Sequence, residues 1–597
     1  MSFTKIENST ESKVATIRDL AVIGDRRTCA LVTTLGSIVW YCPDRFDSPS
    51  LFAALLDPQH GGSWSLNLPD ATFTNRYYFE DSGVLETAIA TANGELKVLD
   101  WMPIGEQTPQ GICRRFSEAP TDFTVVLQPA PDYARRSPNV QFADDRSLAN
   151  VVKVDGGGYL YASHPLTISK QTFQSVGLQV HFTIPQGETG WAVLLNQPLP
   201  LPTQQTVDDW LTSTLERWRL LARHGAYHGC YQDQVAASVR ALRLLTFEET
   251  GGIVAAATTS LPEAIGAERN YDYRYVWLRD AGMVVSALIR AERDGLEARQ
   301  FLDFVCGYDR CSSNNLPLAP VAAVDGKAVP NEVTLNLAGY CNSRPVRFGN
   351  RAKSQLQLDA LGNVLLVGSL IYSHFETDEH WSIVEAVANY LAEHWREPDH
   401  GIWEEETKAQ YTVGKVLAAC GLMHIAEFAR SDAQAQRWRS TEQDIRRFVA
   451  EQCLTSGGAY AAFAGSEAVD VSAALFPIWG YAAADAPEMV ATMDVLEREY
   501  AIAHLYRRHL VEADSQQEGA FLAGTLWVAQ YWVARGDLQR TRAILDAALV
   551  YANDVGLFAE EADPHTSQML GNFPQTFVHA AFIDAVIDLN AALEKAK

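Results

Sequence analysis

The chain has 597 residues, of which 47% are hydrophobic and 20% charged, and a formal net charge of -25. That length is too great for one ordinary core and predicts two or three domains, while the apolar share excludes a disordered chain. An acidic surface repels nucleic-acid phosphates and anionic membranes, so the expected partner is a small neutral molecule, with no nucleic acid and no membrane; a homo-oligomer is compatible with the same surface.

The first twenty residues have no basic head followed by an apolar run, and no run of about 18 apolar residues occurs, so neither a secretory signal nor a membrane span is expected. Nine cysteines are scattered without CxxC pairs. This pattern predicts free thiols in a reducing, cytoplasmic compartment and argues against a disulfide framework or a zinc site.

Short β-rich runs then begin at Cys29, Ser37, Arg76, Phe123 and Leu178. Gly and Pro separate them at the spacing of an antiparallel sandwich, which defines an N-terminal β-sandwich domain over residues 1–204. The Pro-rich run at 197–202 is an extended connector, and residues 205–230 form a linker with a helix. From 231 to 597 the apolar residues recur at helical spacing. Val235, Val239 and Leu242 share one face, as do Trp381, Val384, Val387 and Leu391, and Val416, Cys420 and Met423. Further helices are expected over Ala281–Arg293, Leu356–Tyr372, Ala435–Ala450, Phe521–Arg535, Leu538–Tyr551 and Gln575–Lys597. A closed toroid of helix pairs would bury these faces and collect the long loops at one end.

Three of those loops carry the chemistry: Arg269–Asp280, His400–Glu406, and Gly556–Asp563 followed by Gly571–Phe577. Cleaving a glycosidic bond needs one protonated and one ionised carboxyl, with aromatic faces and fixed polar groups to hold the sugar. Trp403 beside Glu404 would desolvate that carboxyl and suit it to act as an acid. Taken alone, Glu404–Glu406 also reads as a solvated charge run at a helix start, and Arg279 with Asp280 as a structural ion pair.

Together the motifs resemble glycoside hydrolase family 15, the glucoamylases and their relatives. Ile17–Thr28 and Gly36–Phe52 are similar to the N-terminal domain of its bacterial trehalase-like branch. Gly252–Glu263, Tyr271–Ala281, Ser343–Asn350 with Gln355–Asp359, Gly401–Glu404, Glu518–Leu522 and Leu570–Gln575 follow in family order. The resemblance implies a β-sandwich followed by an (α/α)6 barrel and a single-displacement, inverting hydrolysis that needs no metal and no cofactor. It assigns the general acid to Glu404 and the general base to Glu560, in preference to Glu561. Arg279 and Asp280 would grip the sugar hydroxyls, Tyr273 would lie close to the base, and Trp277, Trp403 and Glu405 would flank the sugar, with Gln357 and Asp359 as looser contacts. The two carboxyls would face each other at roughly 6.5–9.5 Å, leaving room for one water.

In the trehalase-like branch the acid is commonly followed by Val-Arg. Here Glu405 and Glu406 follow it, as in glucoamylases. The reading is therefore an exo-acting α-glucosidase that releases β-glucose from the nonreducing end of short α-1,4 or α-1,6 gluco-oligosaccharides. The alternatives are a trehalase of the same fold and a non-catalytic carbohydrate-binding protein. The N-terminal domain is read as a buttress for the barrel in preference to an independent starch-binding module.

Overall fold

In the computed structural model, residues 15–80, 82–143, 149–171, 177–222, 227–292, 296–311, 316–508 and 518–596 are described. The β-rich first third forms two antiparallel sheets. One runs in the order Leu20–Gly24, Cys29–Thr33, Ile38–Tyr41, Ser63–Asn67, Phe123–Gln128, Gly177–Ile184 and Thr167–Gln171. The other runs Val140–Phe142, Val151–Val154, Gly158–Ala162, Gly190–Leu195, Gly111–Phe116, Gly94–Trp101, Leu85–Thr91 and Thr72–Tyr78. The first three strands are buried at every residue. They lie between the second sheet and the helical part of the chain, which accounts for their continuous apolar runs where a one-sided sheet would alternate.

The helices are α1 (Gln204–Ala222), α2 (Gln232–Leu244), α3 (Leu278–Glu292), α4 (Leu296–Cys311), α5 (Leu358–Phe375), α6 (Trp381–His394), α7 (Thr412–Ile425), α8 (Asp432–Gln452), α9 (Pro487–Val495), α10 (Leu522–Ala534), α11 (Leu538–Leu549) and α12 (Thr576–Lys595). The chain alternates between an outer and an inner helix. The inner ring is α3, α5, α7, the short 3-10 helix Val471–Leu475, α10 and α12. Within it α3 packs on α5 and α12, α5 on α7, and α10 on α12 and on Val471–Leu475. This is the expected (α/α)6 toroid, with one inner position held by a five-residue turn of helix that periodicity did not reveal.

Inner helices have no solvent side, and their composition reflects it. Every residue from Leu522 to Tyr531 is buried, and only small residues allow the closest crossings. A Cβ at Gly362 would lie 2.5 Å from the carbonyl carbon of Leu417, and one at Gly421 would lie 2.7 Å from the Gly362 oxygen, so α5 and α7 meet backbone to backbone. Two helices, α5 and α12, are long and apolar enough to cross a membrane by length and composition, a feature the sequence reading did not register. Of the 18-residue apolar windows in these two helices, 72% and 61% are buried inside the protein, which is the simpler reason for their composition.

The sheet domain is braced directly against the chain that leads into α3. Trp40 Nε1 donates to the Ala257 carbonyl at 2.8 Å. Arg274, wholly buried, forms a two-pronged pair with Asp272 (2.8 and 2.7 Å) and donates to the Ser48 carbonyl of the sheet domain at 2.9 Å. Its guanidinium also lies over Trp40 and Tyr133. Arg274→Met would leave the Asp272 carboxylate buried without its partner, and the expected loss is about 3–5 kcal/mol. Urea denaturation checks this. Breaking the exposed Arg430–Asp378 pair should, by contrast, barely move the midpoint.

Candidate functional site

The loops that precede the inner helices converge at one rim. Tyr271–Trp277 leads into α3, Ser343–Gln357 into α5, His400–Tyr411 into α7, and Leu557–Gln575 into α12. The first three line a cleft of about 270 Å³ with Tyr273, Trp403, Glu404 and Glu405, joined by Arg508, while Leu557–Gln575 contributes no lining residue and lies behind it.

Glu404 keeps 25% of its side-chain surface open to this cleft. Its backbone is left-handed, at φ 62°, a conformation that costs a non-glycine residue about 1–3 kcal/mol and clusters at functional sites. Trp277 Nε1 donates to Glu404 Oε1, and Arg279 Nη2 lies 3.7 Å from the same oxygen. Burial pushes the Glu404 carboxyl up to about 7; the Arg279 charge opposes this, Asp280 adds to it, and the Trp277 hydrogen bond opposes it.

Glu560 is deeper, at 2% exposure. It accepts a 2.9 Å hydrogen bond from the Tyr273 hydroxyl, and Arg508 Nη1 lies 3.9 Å away. Gly571 makes room for it: a Cβ there would sit 2.6 Å from Glu560 Oε2. Burial raises this carboxyl, the negative charge of Glu263 raises it further, and Arg508 and Tyr273 pull it back. Tyr273 and Trp277 pack edge to face with centroids 5.6 Å apart. The two glutamates are therefore linked through one aromatic pair, each holding a hydrogen bond from one of its rings.

Arg279 is the hub on the Glu404 side. Its Nε pairs with Asp280 at 2.8 Å, and its Nη1 donates to the Ile402 carbonyl at 2.8 Å and lies 3.4 Å from both Gln357 and Asp359. Asp359 and Asp280 sit in the first turns of α5 and α3, where helix dipoles favour carboxylates. Gln357 caps the start of α5 and bonds to Gln355. Arg279, Asp280, Gln357 and Asp359 are all buried. Trp403 lines the cleft, donates to Asp470 at 2.5 Å, and packs on Trp527 and Phe521. Glu405 faces the cleft half-buried, with its carbonyl held by the His400 ring. Of the ten residues expected from the sequence, Tyr273, Trp403, Glu404 and Glu405 line the cleft. Glu560, Trp277 and Arg279 touch those residues or Arg508 from behind, Asp280 and Asp359 reach the cleft through Arg279, and Gln357 reaches it through Arg279 and Gln355.

Sequence reasoning missed Arg508 and the carboxyls around it. Arg508 is buried, stacks over Trp403 and Phe521, and reaches Glu263 (2.6 Å), Glu518 (2.8 Å), Glu561 (3.6 Å) and Glu560. Single oxygens of Glu263, Glu518 and Glu561 lie within 4.8 Å of one another, a spacing that a cation could bridge. Arg508 and Arg269 already fill that role, which makes the group an ion-pair cluster. In sequence, Glu263 and Glu518 stand at the ends of two separate family motifs and Arg508 in none, so nothing joins them into one group.

Comparison with known proteins agrees with this geometry. The model for glycosyl hydrolases family 15 matches residues 229–537 and 537–587, and the trehalase-like N-terminal model matches residues 10–158. The chain is 29% identical to a trehalase of Thermoplasma volcanium, covering 96% of this chain and 93% of that one. It is 30% identical to a trehalase of Mycolicibacterium smegmatis, covering 97% and 92%. Among solved structures, a bacterial glucoamylase complexed with acarbose superposes with a TM-score of 0.71 over 98% of this chain and 96% of that one; at 13% identity, this is a likeness of fold. The chain belongs to glycoside hydrolase family 15.

Proposed function

We propose that this glycoside hydrolase cleaves α,α-trehalose by inversion, with Glu404 as general acid and Glu560 as general base. The observation that carries the substrate is the near full-length likeness, through both the sheet domain and the barrel, to chains named trehalase. A cleft of about 270 Å³, at the lower edge of the ~300–1,000 Å³ typical of small-ligand pockets, is in keeping with a substrate as small as a disaccharide. This ranks the trehalase alternative above the oligosaccharide reading. The glucoamylase-like reading keeps one observation in its favour, the Glu405–Glu406 pair beside the acid, with Glu406 held by Arg351 at the rim.

Glu404, still protonated near neutrality, gives its proton to the bridging oxygen as that bond breaks. Glu560, its carboxylate form favoured by Arg508 and Tyr273, takes a proton from water, and that water attacks the anomeric carbon from the opposite face. Trehalose joins two α-anomeric carbons, so inversion at one releases β-glucose while the other half departs as α-glucose. Proton NMR at early times should show the two anomers in equal amounts. A sole α product would mean retention, and faster turnover of maltose, isomaltose or soluble starch than of trehalose would restore the glucoamylase-like reading. In both Glu404→Gln and Glu560→Gln, folded protein should hydrolyse substrate at least about a hundredfold more slowly. Full activity in Glu404→Gln would remove the acid assignment, and full activity in Glu560→Gln would remove the base.

The pH profile provides a second check. A carboxyl raised to about 7 keeps its proton through weakly acidic pH and loses it as pH rises past that value. Glu560 is raised as well, to about 8, so the working pair, Glu404 protonated and Glu560 ionised, coexists only near and just above neutrality. Both limbs of kcat/KM should therefore lie well above the ordinary carboxyl range, giving a narrow bell centred between about pH 7 and 8. Trp277→Phe removes the donor that favours the Glu404 carboxylate and should move the alkaline limb to higher pH.

A further inference from the structure

Four carboxyls, Glu263, Glu518, Glu560 and Glu561, are gathered around two guanidiniums, Arg269 and Arg508. All four carboxyls are buried at 5% exposure or less. Fully ionised, the group would carry two uncompensated negative charges in a nearly dry interior, which is strongly unfavourable. Some of these oxygens must hold protons, and the distances single out which. Glu263 Oε2 meets Arg508 at 2.6 Å and Arg269 at 2.9 Å. Glu518 meets Arg508 at 2.8 Å and also pairs with Arg269. Glu560 has the Tyr273 hydroxyl and the edge of Arg508. Among the described residues, Glu561 has no hydrogen bond at either oxygen, and the cation paired with it, Arg508, is 3.6 Å away.

We propose that Glu561 is a positioning residue that holds a proton in the working enzyme, and so adds no further negative charge to compete with Glu560 for Arg508. The proposal rests on Glu560 being the base. The groups facing Glu561 are Glu518, just before the adjoining strand Ala520–Phe521, Glu263 from the chain leading to α3, Glu560 beside it, and Arg508 with Arg269 behind. Burial, the first cause, together with the charges of Glu518, Glu263 and Glu560, drives the Glu561 carboxyl toward its neutral form against the pull of Arg508. A second charge beside the base would compete for the same guanidinium and make Glu560 harder to ionise.

The test is the acidic limb of kcat/KM, which reports the ionisation of Glu560. Glu561→Gln substitutes one neutral group for another and should leave that limb within a few tenths of a pH unit. Glu518→Gln removes a real negative charge and should lower the limb by about one unit, the scale of a nearby like charge. A fall of a full unit in Glu561→Gln would overturn the proposal, because it would show that Glu561 was charged. If Glu561→Gln does not fold, Glu561→Met supplies a second neutral side chain of similar length; failure of both to fold would show that the position needs a charge and would equally overturn the proposal. Turnover that is lost on chelation and restored by a divalent cation would overturn it as well, because a bound ion would then be neutralising the cluster. A Glu561→Gln enzyme that is inactive at every pH beside an active Glu560→Gln would instead mean that the base itself had been misassigned.

Discussion

Everything at this site depends on keeping several carboxyls out of water at once. A lone buried carboxylate is expensive, and an unpaired one reverts to its acid. The protein meets this constraint with two buried arginines, one beside each reactive glutamate. Arg279 collects Asp280, Asp359 and one face of Glu404, and Arg508 collects Glu263, Glu518, Glu561 and one face of Glu560. Each reactive glutamate receives only the weakest contact of its arginine, at 3.7 and 3.9 Å. That leaves both glutamates in an intermediate electrostatic state, pulled up by burial and down by a shared cation, where proton exchange near neutrality is possible.

The fold explains how residues so distant in the chain come to share these two cations. In the toroid the connections at one rim all lead into inner helices, so each motif is placed by the N-terminus of a buried, rigid element. Extended backbone then sorts the side chains. Along Asp272–Trp277, Tyr273 points toward Glu560 while its neighbour Arg274, paired with Asp272, bonds to the sheet domain at the Ser48 carbonyl. The sheet domain therefore contacts the back of the strand-like segment whose other side faces the base. The left-handed backbone at Glu404 belongs to the same economy of space. Gly401, also left-handed, lies against the Tyr411 ring, where a Cβ would approach to 2.7 Å, so the turn is compressed until the acid projects into the cleft.

Much of this was legible in the sequence. The all-buried strands and inner helices announce themselves by continuous or closely periodic apolar residues, and the expected helix limits fall within a few residues of those observed. The short inner helix Val471–Leu475 escaped because five residues cannot display a period. Taken alone, Glu404 also reads as part of a solvated charge run and Arg279 with Asp280 as a structural ion pair; these three, with Glu560, were singled out through the family resemblance of the motifs that carry them. The Arg508 cluster was not, because its members come from separate segments, and no single stretch shows that Glu263, Arg508, Glu518 and Glu561 are one group. For the substrate, two signals in the sequence point in different directions. The residues after the acid, Glu405 and Glu406, point toward glucoamylases, whereas likeness over the whole length points toward trehalases.

That conflict has a physical content. Identity of the acid and base sets the reaction, and both readings share it. Which second sugar is accepted depends on the outer part of the cleft, where Arg351 pairs with Glu406 and where Gln355 holds the Glu404 carbonyl at 3.0 Å. An exposed ion pair contributes little to stability, so this one is free to vary between relatives without cost to the fold. A Val-Arg pair offers an apolar side chain and a donor where a Glu-Glu pair offers acceptors; a sugar hydroxyl both donates and accepts, so either pair can hold a small second sugar at the same rim. A local motif is therefore a weaker guide to substrate than the buried framework, which changes only when many residues change together.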